Sequence, residues 1–328
     1  MLESFFITQF KTEFALDVVL LLITAILLLF VCYKIVSSKN LLESIILMSA
    51  FSLLIGVCYL LMDAPDVTMT EVALGSALSN CVMLNVINIT EDKCFYAKKR
   101  RVCLSILLCS IFVVLLSAIC FDLPEFGSQY APLHANVTQY YVDNIYNEIQ
   151  IPSMVAAILG SYRGFDTLGE TLVVLIAGLA VFILSSRKSL ETFQEQLIVK
   201  CILKFIVPYI LLYAIYIQLN GKVSPGGGFQ AGVIFATGLI GYSFACGMYK
   251  LEDLVSSSQL CYLSILGVMI YFFTGIASFL FGEHYLNYYV LNSDPILAQH
   301  IGILLIELGV GITVSAVMCL IYISLSRK

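Results

Sequence analysis

Glu307 lies about ten residues, roughly 15 Å at 1.5 Å per residue, inside an apolar run from Ile296 to Ser324, near the expected midplane of a bilayer. A glutamate at that depth has too short a stem to reach the interface, and a charge in hydrocarbon costs a few kcal/mol at least. His300, Glu307, Gly311 and Ser315 share one helix face, so the carboxylate points into a helix interface or a hydrated cleft. There it either carries protons or cations, or is a protonated acid hydrogen-bonded to a neighbouring helix. Three further acidic residues stand at helical spacing. Arg163, Asp166 and Glu170 are three and four apart, so one cation faces two carboxylates; an Arg163–Asp166 pair leaves Glu170 deeper and less compensated. The alternative is an ion pair that only fixes the start of a helix. Glu71 forms a polar stripe with Thr68, Gly75 and Ser79, which suits a proton or cation relay or, equally, a carboxylate placed at a helix N-terminus. Lys204 lies about one turn inside its apolar run and reads as a snorkelling side chain.

The elements that position these groups are interrupted once by an unusual loop, Asn220-Gly221-Lys222-Val223-Ser224-Pro225-Gly226-Gly227-Gly228-Phe229-Gln230. Three adjacent glycines rule out simple helix continuation. At hydrocarbon depth such backbone is tolerated only inside protein or beside a watery cavity. The loop is either a tight hairpin requiring positive φ or a set of exposed amides and carbonyls that meet a cation or a neighbouring protein chain. Pro208 upstream predicts a kink.

With 328 residues, 60% hydrophobic and 12% charged, and a mean hydropathy of +0.97, the chain carries more apolar surface than a soluble core could bury. Its charges cluster between apolar runs, which excludes amphipathic soluble helices. The expected fold is all-α and polytopic, with about nine spans. These are approximately Ala15 to Tyr33, Leu41 to Met62, Val67 to Ile89, Val102 to Cys120, Phe165 to Ser185, Cys201 to Leu219, Phe229 to Gly247, Leu260 to Phe281 and Ile296 to Ser324. Alternate loops hold Lys34 and Lys39, then Lys93, Lys98, Lys99, Arg100 and Arg101, then Arg187, Lys188 and Lys200, then Lys250, then Arg327 and Lys328. The opposite loops hold Lys11, Arg163 and Lys222 among many acids. The positive-inside rule therefore puts the N-terminus out and the C-terminus in. The first apolar run lacks the basic n-region and cleavage site of a signal peptide, so a retained anchor is expected. The cysteines lie largely within spans and read as small apolar filler. With no Cys-x-x-Cys or Cys/His cluster, neither a metal nor another cofactor is expected.

A basic linker from Ser185 to Lys200 divides the chain into residues 1–190, with about five spans, and 191–328, with about four. The acidic, tyrosine-rich stretch from Phe121 to Gln150 lacks helical periodicity and is expected as a long outer loop. Ile151 to Leu159 is apolar but too short to span and predicts an interfacial piece or half-helix.

Ser224-Pro225-Gly226-Gly227-Gly228-Phe229-Gln230 with Ala231-Gly232-Val233 resembles the hallmark of the B subunit of Mrp-type multisubunit sodium/proton antiporters, also called Mnh or Pha. The resemblance covers about Leu197 onward. Asp63-Ala64-Pro65-Asp66-Val67-Thr68-Met69-Thr70-Glu71 resembles the motif of the MbhD-type segment at the C-terminal end of the large A subunit. Arg163-Gly164-Phe165-Asp166-Thr167-Leu168-Gly169-Glu170 resembles that of the MbhE-type segment which follows. The long antiporter-like region of a full A subunit has no counterpart, so the expectation is an A-subunit tail fused to a B subunit. Relatives often carry histidines flanking the loop glycine where Asn220 and Lys222 stand, which takes an imidazole titration away from those positions.

The resemblance implies one component of a multisubunit cell-membrane complex that exchanges sodium for protons, not a stand-alone transporter and not an enzyme. Its expected partners are the other antiporter subunits, sodium ions, protons and membrane lipids, with no nucleic acid. Glu71, Asp166, Glu170 and Glu307 are the expected ion and proton pathway. Asp66, Arg163, Pro225, Gly226, Gly227, Gly228 and Gln230 are the supporting motif residues. A membrane-bound hydrogenase or related redox complex, which uses similar segments, is one alternative; a scaffold that moves no ion is another.

Overall fold

The computed structural model describes residues 2–90, 99–125, 128, 131–132, 137–185 and 197–326. The basic linker residues 186–196, with Arg187 and Lys188, lie outside the described residues, as do Lys93, Lys98, Arg327 and Lys328. Among the described residues there is no strand, and nine helices are long and apolar enough to cross a membrane, including Leu41–Leu61, Pro65–Ile87, Gly164–Leu184, Gly228–Cys246 and Pro295–Leu325. The chain is a multi-pass membrane protein.

It divides into two compact units, residues 1–92 with 149–328, and residues 93–148. The smaller unit holds α5 (Lys99–Asp122), an apolar span, and α6 (Gln139–Glu148). Helix α6 corrects the expectation of an irregular outer loop. Its tyrosines and acids defeat a search for apolar periodicity, yet Gln139 donates to Asp143 one turn on, and the Asn144 side chain donates to the Tyr140 carbonyl. Local polar pairs of this kind support the helix beside its buried Ile145.

The larger unit is organised around α13 (Pro295–Leu325), whose 31 residues make it roughly 46 Å long. Asp294 caps it by accepting from the Ile296 N–H, and Pro295 occupies the first turn, where its missing donor costs nothing. Three helices pack on it: α8 (Gly164–Leu184), α10 (Gly228–Cys246) and α12 (Ser257–Leu280). Helix α9 (Leu197–Asn220) runs through Pro208 and covers α10; α1 (Leu2–Ser37) packs on α2 (Leu41–Leu61), which in turn packs on α3 (Pro65–Glu71). Helix α11 (Met248–Leu254) links α10 to α12. Small residues permit these contacts. A Cβ on Gly267 of α12 would collide with the Gly309 carbonyl of α13, and one on Gly178 of α8 would lie 2.6 Å from Val317.

Two segments depart from α geometry. Val72–Leu78 is π-helical between α3 and α4 (Ser79–Thr90), and Ile158–Tyr162 is π-helical after the short α7 (Met154–Ala157). The piece predicted as a half-helix is thus a brief α turn widening into a π turn. The first π segment also alters the polar stripe. Thr68 and Gly75 face α2, through a hydrogen bond from Thr68 to the Gly56 carbonyl and the proximity of Gly75 to Ser52, but Ser79 is exposed. A wider turn breaks the three-and-four spacing that would have kept Ser79 on that side.

Candidate functional site

The glycine loop is built from three different needs. Gly226 and Gly227 have φ of 155° and 136°, where L side chains are strained. Gly228 is needed for proximity: a Cβ there would collide with the Glu307 carbonyl and lie 3.1 Å from the Gly311 N–H. The positive φ values fit the hairpin alternative, and the close approach of α10 to α13 is an additional demand on the loop. Gly221 closes the other side of the loop, since its Cβ would lie 2.8 Å from the Gly227 nitrogen.

This loop gathers the other two motifs around it. The Gly226 N–H donates to Asp66 Oδ1 at 2.8 Å, joining the start of α3 to the start of α10. The Ser153 N–H donates to the Lys222 carbonyl at 3.0 Å, joining the segment before α7 to the loop. Tyr288 and Tyr271, both fully buried, donate to the carbonyls of Gly160 and Gly164, and Ser161 donates to Gln299 of α13.

Between these elements lies a cavity of about 420 Å³. At roughly 30 Å³ of liquid per water, it has room for on the order of ten waters. Asp66 and Glu71 line it from α3, Glu170 from α8 and Glu307 from α13, with Gly226, Gly227, Gly228 and Gln230 forming the wall toward α10. The two π segments contribute Leu74, Leu159 and Gly160. π turns often mark functional positions because they leave backbone groups out of the regular ladder. Glu71 folds against Gly75, with its Oε1 2.8 Å from where a Cβ would stand, and Glu307 Oε1 lies 3.7 Å from the equivalent point on Gly227. Among the described residues no hydrogen bond reaches the carboxylates of Glu71, Glu170 or Glu307, and no basic side chain lines the cavity.

Helix α13 extends past the start of α10, for the Glu307 carbonyl abuts Gly228, the first residue of that roughly 28 Å helix, whereas the nearby Gly309 meets Gly267 and Tyr271 in the interior of α12. Glu307 is thus level with the N-terminus of α10, while Glu71 and Glu170 lie about 9 Å along from Pro65 and Gly164. The N-termini of α3, α8 and α10 all open on this end, and each places partial positive charge near the acids.

Asp166 is not brought into the cavity. Its carboxylate pairs with Arg163 at 2.5 and 2.6 Å, and both side chains are more than half exposed. An ion pair so exposed contributes little stability. Pro225 is also exposed, and Lys204 is exposed on α9. Lys222, which the sequence places at a position where relatives often carry histidine, donates from Nζ to the His300 carbonyl of α13 at 2.6 Å, and burial lowers its pKa from the ordinary lysine value. Its signal is that of a lone basic residue in an otherwise uncharged loop.

Three family models match the chain in succession. They describe the D subunit of MBH over residues 19–92, the E subunit of MBH over 111–195 and a "Domain related to MnhB subunit of Na+/H+ antiporter" over 198–320. The chain joins MbhD, MbhE and MnhB domains in one sequence. A Rhizobium meliloti protein, named as the probable A/B subunit of a K(+)/H(+) antiporter, is 28% identical over 60% of this chain and 23% of its own length. The A1 subunit of a Staphylococcus aureus Na(+)/H(+) antiporter is 32% identical over 51% of this chain and 20% of its own. The fusion thus spans about a quarter or less of these relatives. An Mrp complex from Dietzia sp. DQ12-45-1b shares the fold, with a TM-score of 0.74 at 20% identity, covering 93% of this chain and 34% of that one. A chain of the membrane-bound sulfane sulfur reductase, an archaeal respiratory membrane complex, is 25% identical with a TM-score of 0.53, covering 67% of this chain and 97% of that one. Each domain of the fusion supplies acids to the cavity or the loop that closes it: Asp66 and Glu71 from MbhD, Glu170 from MbhE, and Gly226 to Gly228 with Glu307 from MnhB.

Proposed function

We propose that this chain is a membrane component of a multisubunit cation/proton antiporter, and that its cavity is the outer half of an ion and proton route. The observation that carries the reading is the meeting of Asp66, Glu71, Glu170 and Glu307 with the glycine loop around one space large enough for water. Four acids there favour monovalent cations and protons over anions, and the unpaired carboxylates can exchange a proton with water or accept a cation in its place. Sodium is the cation we favour; the named relatives include potassium and sodium antiporter subunits. Asp166, held by Arg163 on the outside, belongs to the approach to the cavity.

Toward the C-terminus of α13, Val314, Val317, Leu320 and Ile323 are buried, while Leu308, Gly311, Ile312 and Ser315 border a separate space of about 320 Å³ against α9 and α10. Partner subunits of the antiporter would complete the route. In this arrangement the N-terminus faces out and the C-terminus in, and residues 1–190 and 191–328 act as two modules meeting at the cavity. The protein works as a transporter component in the cell membrane, not as an enzyme.

The test is exchange in membrane vesicles containing the assembled complex, followed with a pH-sensitive dye after addition of sodium or potassium. Glu71→Gln and Glu170→Gln are expected to lower the rate about tenfold or more, the size typical of losing a positioned proton carrier, while assembly survives. Full exchange in both variants would remove the relay. A redox-driven ion pump is the second reading, favoured by the coverage of nearly the whole reductase chain. Co-purification with iron-sulfur or nickel-iron subunits would select it. Variants that change assembly but never transport would instead indicate a scaffold.

A further inference from the structure

Helix α9 has two unlike faces. Val207, Ala214 and Ile217 are buried on the side where α9 covers α10. Phe205, Tyr209, Tyr213 and Tyr216 are all exposed, and their spacings of four, four and three place them in one stripe on the opposite side. Rings pair along the stripe: the centroids of Phe205 and Tyr209 are 5.3 Å apart, and Tyr213 stacks on Tyr216 at 6.2 Å.

The stripe carries hydroxyls to a depth where lipid offers them nothing. Tyrosine is at home at the two membrane surfaces, yet Tyr209 stands midway along the span Ile198–Asn220, roughly 16 Å from either end, and is 59% exposed. A phenol is too short to bring its oxygen to the interface from there. Tyr216, nearer the end, is provided for, since its hydroxyl accepts from Asn220 at 2.9 Å. The hydroxyls of Tyr209 and Tyr213 have no hydrogen-bond partner among the described residues, and a hydroxyl left unpaired in hydrocarbon is costly. The exposed span α5 avoids that cost: Ser110 and Ser117 donate to the Ile106 and Val113 carbonyls of their own helix. A hydroxyl held out beyond its ring has no such recourse.

We propose that this stripe docks a spanning helix of another subunit, one that presents a carboxyl, amide or hydroxyl oxygen to Tyr209 at mid-membrane. The inference rests on the reading of the chain as one component of a multisubunit antiporter. Lipid tails would cover the rings as well as protein does but accept no hydrogen bond, so the hydroxyls select a polar helix, the usual means by which membrane helices bond to one another. A second copy of this chain is a poorer match, because a twofold pairing would set the stripe against itself, with no carboxyl or amide among its four side chains. The antiporter subunits that resemble this chain extend far beyond the matched region, and this chain spans only a quarter or less of them. Tyrosine and phenylalanine are also the residue types enriched at protein interfaces.

The test places photoreactive p-benzoylphenylalanine at position 209 of the complex in native membranes, irradiates it and maps the adducts by mass spectrometry. The expected product joins position 209 to a spanning segment of a different subunit. Adducts with lipid alone, or with a second copy of this chain, overturn the proposal. Tyr209→Phe removes only the hydroxyl, at an exposed position that the fold of the chain does not depend on. Dilution in mild detergent is expected to release this variant from the complex with an apparent dissociation constant about fivefold higher than the parent's, the size of one hydrogen bond between membrane helices. An unchanged dissociation constant also overturns the proposal. An adduct with a spanning subunit of a complex that co-purifies with iron-sulfur or nickel-iron subunits leaves the docking surface standing, and the antiporter reading is what fails.

Discussion

The two halves of α13 share a helix but have opposite interiors. Beyond Glu307, toward the C-terminus, polar groups find partners within the protein: Thr313 donates to the Ser264 and Gly309 carbonyls, Tyr322 meets Ser243 at 3.0 Å, and the Ser324 carbonyl accepts from Ser185. At Glu307 the same helix borders a space where carboxylates from three elements have no protein hydrogen-bond partner among the described residues. A dry interior must satisfy its polar atoms internally; acids left unpaired require water or an ion. The contrast separates the part of the helix that seals the bundle from the part that holds the candidate chemistry.

The sharpest way to break the comparison is to put an acid in the wrong half. Val314→Asp, at a fully buried position, should cost about 3–5 kcal/mol as an uncompensated buried charge and abolish accumulation of folded protein. Glu307→Gln should leave the unfolding midpoint in detergent nearly unchanged while exchange is lost. Equal tolerance of both would mean that the halves do not differ. Next in size is the boundary between them. Gly228→Ala must push α10 away from α13 and should cost about 1–3 kcal/mol, seen as a lower thermal midpoint. Gly169→Ala has open space within 4 Å and should be neutral or stabilising by up to about 1 kcal/mol through helix propensity. The smallest effect concerns the loop anchor. Asp66→Ala loses the acceptor for the Gly226 N–H and should be about 1 kcal/mol less stable than Asp66→Asn, which keeps it; identical midpoints would make the charge, not the hydrogen bond, the reason for the aspartate.

Much of this architecture is legible without coordinates. Helix α10 begins where Gly228 follows the loop, and α13 begins at Pro295 after the capping Asp294, because capping chemistry and hydrophobic length act locally. The Arg163–Asp166 pair, one turn apart, is readable for the same reason. Helix α6 is harder to read, since it is short and rich in polar residues, although its Ile145 is buried. The π segments are not readable, because they arise where a helix must accommodate packing from elsewhere in the chain. Lys222 escapes notice because its partner, the His300 carbonyl, is far away in sequence.

Residue types and spacing by themselves determined that this is a bundle of apolar helices bearing a few misplaced acids and one glycine-rich interruption, because transfer from water and backbone sterics are properties of short segments. Which acids meet was decided only by tertiary structure. The close approach of Gly228 to the Glu307 carbonyl brings α10 and α13 together, and the hydrogen bond from Gly226 to Asp66 brings α3 to the same place. Asp166 is held by Arg163 away from the cavity, while Glu170, one turn later, is exposed on the cavity's lining. Level along the bundle, too, belongs to the assembled fold, for only the packing of α10 on α13 sets Glu307 beside the start of α10.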